Sequence, residues 1–276
     1  MTWADDDSGA QAHTEMSGEA IMLASRARHG FYPYVFERVD LITTDRRDRK
    51  SVRQARRYWR LDGDGGAHFL WVFEQPPELR GVAVLASFDA ESDSGVGADV
   101  GLYLPAFGHR LKRGSDQTGA DARSVMGAMN ILGTDFSIQD LSPEDVDAHV
   151  YQRMDDVVLN ETRYFQISAK PRFPAQSRLS GFSERRLLIR AETLMLERAD
   201  YFDHRGRLVK RLTRHDLKPF DGETWRAGMS LMQDFRTGHS TLIKVRERVD
   251  SADYVPSALF TKAALFAGQH LLSPGD

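Results

Sequence analysis

Between Arg186 and Val249 the chain repeats one pattern: a run rich in aliphatic, aromatic and β-branched residues, a tight polar turn, then another such run. Leu194 to Phe202 is joined to Leu208 through Leu217 by Asp203-His204-Arg205-Gly206, and Asp221-Gly222 and Thr237-Gly238 mark the next reversals. Gly accepts positive φ and Asp caps nearby backbone amides, so turns this short fold each run back onto its neighbour. The pattern specifies an antiparallel meander.

Similar signals precede it. Tyr34 to Ile42 reads as a strand with Val35, Val39 and Leu41 on one face. Gln54–Leu61 and Ala67–Glu74 flank the turn Asp62-Gly63-Asp64-Gly65-Gly66. His68 to Phe73 is apolar on both faces, so both faces must be covered. Strands follow at Val82–Phe88, Val100–Pro105 and Asn160–Ala169. Three helices are expected: Ser17 to about Arg28, stopped by Gly30; Ser142-Pro143-Glu144-Asp145 to about Arg153; and a short one within Pro256–Phe266. Residues 114–132 form a long connection dominated by Gly, Ser, Asp and Ala, the kind of segment that carries function or moves.

A single antiparallel sheet of about ten strands coils rather than staying flat, and its concave apolar face needs a cover. The N-terminal helix and residues 114–153 are the natural covers. The fold class is therefore mainly β with α covers. Residues 1–14 read as a flexible N-terminus, and 15–276 as one domain.

Composition narrows the function classes. The absence of cysteine excludes disulfides and thiolate catalysis. A net charge of −3 provides no basic field for nucleic acid. No apolar run approaches the ~20 residues of a transmembrane helix. The polar start, with Asp5-Asp6-Asp7, has no signal-peptide core, so the chain is either cytoplasmic or exported with its signal removed.

Four segments together resemble the outer-membrane lipoprotein-sorting proteins of the LolA-like type, in the branch found beside RND/MMPL-type transporters. They are Leu102-Tyr103-Leu104-Pro105 with Arg110-Leu111-Lys112-Arg113; Gly133-Thr134-Asp135-Phe136-Ser137-Ile138-Gln139-Asp140-Leu141; Tyr201 to Lys210; and Met232 to Leu242. The resemblance spans roughly residues 34–266. Ile138 and Gln139 stand where the branch more usually has aromatic and acidic residues, and loop 171–183 is atypical. The resemblance implies a half-open antiparallel β-barrel with a helical lid, exported to the periplasm, carrying a lipid or the acyl chain of a lipoprotein. It also implies service to an inner-membrane RND-type exporter; a non-carrying adaptor docked on that transporter is the alternative. The protein is expected to be a monomer, to be non-enzymatic and to need no cofactor.

Strand alternation puts Phe69, Trp71, Phe73, Leu102, Leu104, Phe136 and Leu196 on the lipid-binding wall. Met126, Met129 and Asp135 are the lid or gate candidates, although Asp135 reads more simply as a cap on local backbone amides. The basic run Arg46, Arg47, Arg49 and Lys50, with Arg53, Arg56 and Arg57, could bind anionic head groups or nucleic acid; it reads more simply as the solvated tip and outer face of an early hairpin, or as a contact for an acidic partner. His204, His215 and His239 lie near meander strand ends without the tight spacing of a metal site, so no metal is expected. Asp145, Asp147, Asp155 and Asp156 read as solvating charges. No nucleophile elbow, P-loop or dinucleotide fingerprint is present.

Overall fold

The computed structural model describes residues 16–30, 32–62, 66–88, 98–105, 130–142, 144–174, 177 and 180–271. Helix α1 (Gly18–His29) comes first. Strands β1 (Tyr34–Thr44), β2 (Lys50–Leu61), β3 (Ala67–Gln75), β4 (Ala83–Phe88) and β5 (Ala98–Tyr103) then form one arm of a sheet. After helix α2 (Ile138–Leu141), the other arm comprises β6 (His149–Arg153), β7 (Val157–Leu159), β8 (Thr162–Pro171), β9 (Glu184–Arg190), β10 (Leu196–Phe202), β11 (Leu208–Asp221), β12 (Thr224–Asp234) and β13 (His239–Val249). Helix α3 (Lys262–Phe266) and a 3-10 turn (Gln269–Leu271) end the order.

All pairings are antiparallel, and the order is β5-β4-β3-β2-β1-β13-β12-β11-β10-β9-β8-β6, with β7 also on β8. The arms join through β1 and β13, in a register that runs from Phe36↔Val249 to Thr44↔Ser240 with a bulge at Arg38/Val39. β5 and β6 lie at opposite ends of the order and do not pair, so the sheet is open rather than a closed barrel.

Side-chain alternation splits the core in two. The inner face collects Val39, Leu41, Ala55, Phe69, Trp71, Phe73, Val84, Val100, Phe165, Ile167, Leu187, Ile189, Ala199, Leu212 and Met232. The outer face of the first arm carries Phe36, Tyr58, Leu70, Val72, Ala83, Leu85 and Tyr103. Val255, Phe260 and Leu265 from the C-terminal segment cover it, which explains why β3 is apolar on both faces.

Helix α1 begins at Ser17, whose hydroxyl accepts from the Ala20 amide, and buries Ile21 and Met22. It packs against both β6 and β12. A 12-residue helix is about 18 Å long. Five strand spacings separate β6 from β12 in the sheet order, about 24 Å along the surface. One straight helix reaches both because the sheet coils between them. At the β6 end there is room for no side chain at position 18: a Cβ on Gly18 would lie 2.7 Å from the Arg153 amide nitrogen and 2.9 Å from the Gln152 carbonyl carbon. The Arg153 guanidinium donates to the Met16 carbonyl at 2.9 Å and fixes this contact.

The helix expected from Ser142 to about Arg153 is absent. Val146–Ala148 forms one 3-10 turn, and His149–Arg153 is β6, with Val150 opposite Lys170 and Tyr151 opposite Ala169 on β8. The local capping signal yields to strand pairing that no local reading contains. The true helix start lies five residues earlier. Ser137 and Asp140 form a capping box, in which the Ser137 amide and hydroxyl each donate to Asp140 at 2.8 Å.

Candidate functional site

A cavity of about 230 Å³ lies between α1 and the inner face of the sheet. Its apolar wall includes Met22, Phe69, Phe136, Leu196, Ala199 and Leu212. The rest is strongly charged. Six arginines (26, 57, 185, 214, 226 and 248) line it against three carboxylates, Glu37, Asp140 and Glu144, leaving a formal excess of three positive charges.

The carboxylates are committed. Glu37, on the inner face of β1, sits between Arg57 of β2 and Arg248 of β13; Arg248 donates to it at 2.6 Å and Arg57 also binds it. Burial opposes its ionisation, but the two guanidiniums outweigh burial and hold its pKa at about 2. Glu144 binds Arg185 and accepts from the Tyr151 hydroxyl at 2.7 Å; burial is again outweighed, and its pKa is also about 2. Asp140 joins Lys210 at 2.9 Å and the Tyr201 hydroxyl at 2.8 Å, while also capping α2. Burial raises its pKa, but Lys210 more than compensates.

Arg214 and Arg226 are held differently from Arg57, Arg185 and Arg248. Arg214 donates only to the Leu196 carbonyl, at 3.4 Å. Arg226 donates to the His29 carbonyl at 2.8 Å and lies over the Tyr32 ring at 4.7 Å, while its buried Nε has no hydrogen-bond partner. Neither forms a salt bridge among the described residues. Burial lowers both pKa values, and the neighbouring Arg248 adds to this for Arg226, which falls to about 10.

The C-terminus of α1 is latched over this charge. His29 Nε2 lies 2.7 Å from the Thr193 carbonyl, and the Trp225 amide donates to Nδ1 at 3.2 Å. Nδ1 must therefore be bare and Nε2 must carry the proton, which defines a neutral imidazole. Burial lowers its pKa, the Thr193 bond opposes this, and Arg226, Arg28 and Arg214 push it lower still, to about 4. The Thr224 hydroxyl and Arg226 complete the latch by donating to the last helix carbonyls, of Arg28 and His29.

Of the wall residues expected from sequence, Phe69, Phe136 and Leu196 line this cavity. Trp71 and Phe73 are fully buried in the inner core, and Leu102 and Leu104 pack against that core half-buried; these four do not line it. Among the described residues the Asp135 carboxylate caps no local amide. Its amide donates to the Thr241 hydroxyl at 2.9 Å, and that hydroxyl donates back to its carboxylate at 2.6 Å, tying the Gly133 turn to β13. Burial raises its pKa, against the Thr241 bond. Met126 and Met129 lie outside the described residues. Arg46, Arg47, Arg49 and Lys50 are exposed on the β1–β2 hairpin, where Asp45 caps the turn and binds Arg49. His204, His215 and His239 are exposed, and no group of metal-binding residues occurs among the described residues.

Of the cavity arginines only Arg57 belongs to the basic run singled out from sequence, and its place there on a solvated outer face is corrected: Arg57 faces the cavity, and its neighbour Arg56 is buried, donating to the His270 carbonyl. The available signal was alternation. Arg57 lies two residues from both Ala55 and Trp59, and Arg214 two residues from Leu212, so each belongs to a face that is otherwise inward.

The model of a family of "-like: Uncharacterized protein" sequences matches residues 65–266, well over half the chain. No curated protein matches it in sequence. Among solved structures, a domain assigned to an outer membrane lipoprotein-sorting protein from Vibrio parahaemolyticus superposes with a TM-score of 0.77 at 22% identity, covering 93% of this chain and 99% of that one. A DUF1329 family protein from Desulfovibrio piger gives 0.76 at 21% identity, with coverages of 90% and 97%. A LolA superfamily protein from Nitrosomonas europaea gives 0.65 at 12% identity, with coverages of 90% and 99%. The chain thus has the LolA-like fold, with an open sheet.

Proposed function

The chain belongs to the family whose model spans residues 65–266, and on its LolA-like fold we propose that it is a periplasmic carrier for a lipid or for the acyl chain of a lipoprotein. The observation that carries this reading is the coiled sheet with an apolar inner face, crossed by α1, which leaves a cavity walled in part by Phe69, Phe136 and Leu196. Carriage needs burial rather than bond chemistry. Each methylene removed from water contributes ~0.8 kcal/mol, so a long acyl chain gains on the order of 10 kcal/mol before ordering costs. The cavity, at about 230 Å³, lies below the ~300–1,000 Å³ of typical ligand sites, and a shift of α1 would widen it for a long chain.

The test is native mass spectrometry of protein purified from its own host, with solvent extraction of the same sample. Co-purifying acyl lipid, or uptake of a fluorescent fatty acid by the extracted protein, is the expected result. Absence of both refutes carriage.

Cooperation with an inner-membrane RND-type exporter rests on the resemblance of the four sequence segments to the transporter-associated branch. The exposed Arg46–Lys50 tip would be its contact, with the carrier acting as a monomer. Charge reversal at Arg46, Arg47 and Lys50 should then weaken co-purification with the exporter while cargo binding persists. Unchanged co-purification would remove the tip from the interface.

A further inference from the structure

An apolar trough has no use for six arginines. Inner-face positions of such a sheet are ordinarily filled by aliphatic side chains, and an unpaired cation there pays desolvation with no ionic return. Four of the charges in this wall explain one another: Glu37 neutralises one of Arg57 and Arg248, and Glu144 neutralises Arg185. Asp140 is occupied by Lys210. Arg214 and Arg226 come from adjacent strands, β11 and β12, line the same cavity and have no carboxylate partner among the described residues.

The acceptors that meet them are few and neutral. Arg214 has one long bond to a carbonyl; Arg226 has one carbonyl, the ring faces of Tyr32 and Phe220, and a buried Nε without a hydrogen-bond partner. His29, beside them, is held neutral by its two hydrogen bonds, so it neither adds to nor relieves the excess charge. No carboxylate lies within salt-bridge distance of either among the described residues: Glu144 and Asp140 act on Arg214, and Glu37 on Arg226, only from farther off, while the same wall holds Phe69, Phe136 and Leu196 for apolar contact.

We propose that Arg214 and Arg226 form a head-group site for an oxyanion, the carboxylate or phosphate of an amphiphilic cargo whose chain lies along Phe69, Phe136 and Leu196. This deepens the carrier reading and rests on it. A guanidinium suits the role because its planar fork matches a carboxylate or phosphate oxygen pair, and charge-assisted bonds are the strong ones in a partly dry site. The bound anion would supply the counter-charge that Glu37, Asp140 and Glu144 are too committed to give. It would also select among greasy molecules of equal length, which an apolar wall alone does poorly.

The test compares ligands of matched chain length on the solvent-extracted full chain by calorimetry: palmitate, hexadecyl phosphate, hexadecanol and hexadecylamine, with inorganic phosphate alone as a further arm. The two anionic amphiphiles should bind roughly ten- to hundredfold tighter than hexadecanol, and hexadecylamine should be weakest. In R214Q and R226Q the ratio of anionic to neutral affinity should fall toward one, while R214K, which keeps the charge, should retain part of it. Circular dichroism and urea midpoints verify that each variant folds.

Equal affinity for palmitate and hexadecanol in the native protein would overturn the head-group site and leave the carrier reading standing. An undiminished ratio in both Gln variants would overturn the assignment to these arginines. Inorganic phosphate binding as tightly as hexadecyl phosphate would uphold the oxyanion chemistry but assign it to a free anion, against a lipid cargo. Failure of every amphiphile would overturn both readings together.

Discussion

His29 offers the sharpest test of the latch. Its imidazole must stay neutral in the folded chain, because Nδ1 accepts from the Trp225 amide and protonation would set two N–H groups against each other. The folded pKa is about 4, against 6.5 for the free side chain. The sign follows from proton counting: between those values the unfolded chain binds the proton and the folded chain does not, so stability falls as pH falls. The contribution is fully present above pH 6.5 and exhausted below about pH 4. At about 1.4 kcal/mol per unit the whole effect is about 3 kcal/mol, of which about 2 kcal/mol is lost between about pH 8 and pH 5. His149, also lowered to about 4 by burial and then by Arg185, titrates in the same window, so the native slope alone is ambiguous. His29→Gln resolves it, since Gln keeps a donor and an acceptor and takes no proton. Urea unfolding at both pH values should show the variant losing about 2 kcal/mol less than the native chain on acidification. Equal losses would refute the latch. Glu37 and Glu144, held at about 2, act in a lower window, with stability present above about pH 4.5 and lost toward pH 2.

Glu37→Gln removes the anion between Arg57 and Arg248 and should destabilise the chain by about 3 kcal/mol in urea at neutral pH; a loss below about 1 kcal/mol would mean solvent already screens the pair. Gly18→Ala forces a Cβ against the β6 backbone and should release the first turn of α1, read as faster amide exchange at residues 20–24 with β9 and β10 unchanged. Trp71→Ala should cost about 3–5 kcal/mol, as expected for a fully buried indole, whereas Phe136→Ser should weaken fatty-acid uptake by more than its effect on folding; parallel losses in both would make Phe136 plain core. Thr241→Val strands the Asp135 amide and carboxylate and should cost about 1–3 kcal/mol by thermal melt.

What could be read ahead of the structure was whatever the chain encodes locally. Asp203-His204-Arg205-Gly206 makes the expected tight turn, with the Asp203 carboxylate accepting from the amides of 205 and 207 and Gly206 at φ +71°. Ser17 caps α1 as its type suggests, and Gly30 ends it, though at φ −85° and through lack of room for a Cβ, which would lie 2.6 Å from the Arg26 carbonyl oxygen, rather than through a left-handed turn. The error at 142–153 arose where the deciding partner is distant: β6 exists because β8 lies beside it and α1 crosses above it. The charged end of the cavity was hidden for a related reason. Arg57, Arg214 and Arg226 resemble ordinary solvent-facing strand residues until strand pairing and the crossing helix determine that they face inward, and a convergence of β1, β2, β11, β12 and β13 leaves no mark in any one of them.

The crossing helix also sets an order of assembly. α1 is made early, but its anchors at Arg153, Thr193 and Trp225 emerge far later, separated from it by most of the chain. Closing so large a loop is worthwhile only after the second arm has paired. The trough is therefore built empty-handed and roofless, and the roof settles last. A part added last to a completed frame is also the part that can leave without dismantling it, so α1 should detach at a free-energy cost well below that of melting the sheet. The sequence order of the chain would in this way provide the trough with a door before any partner acts on it.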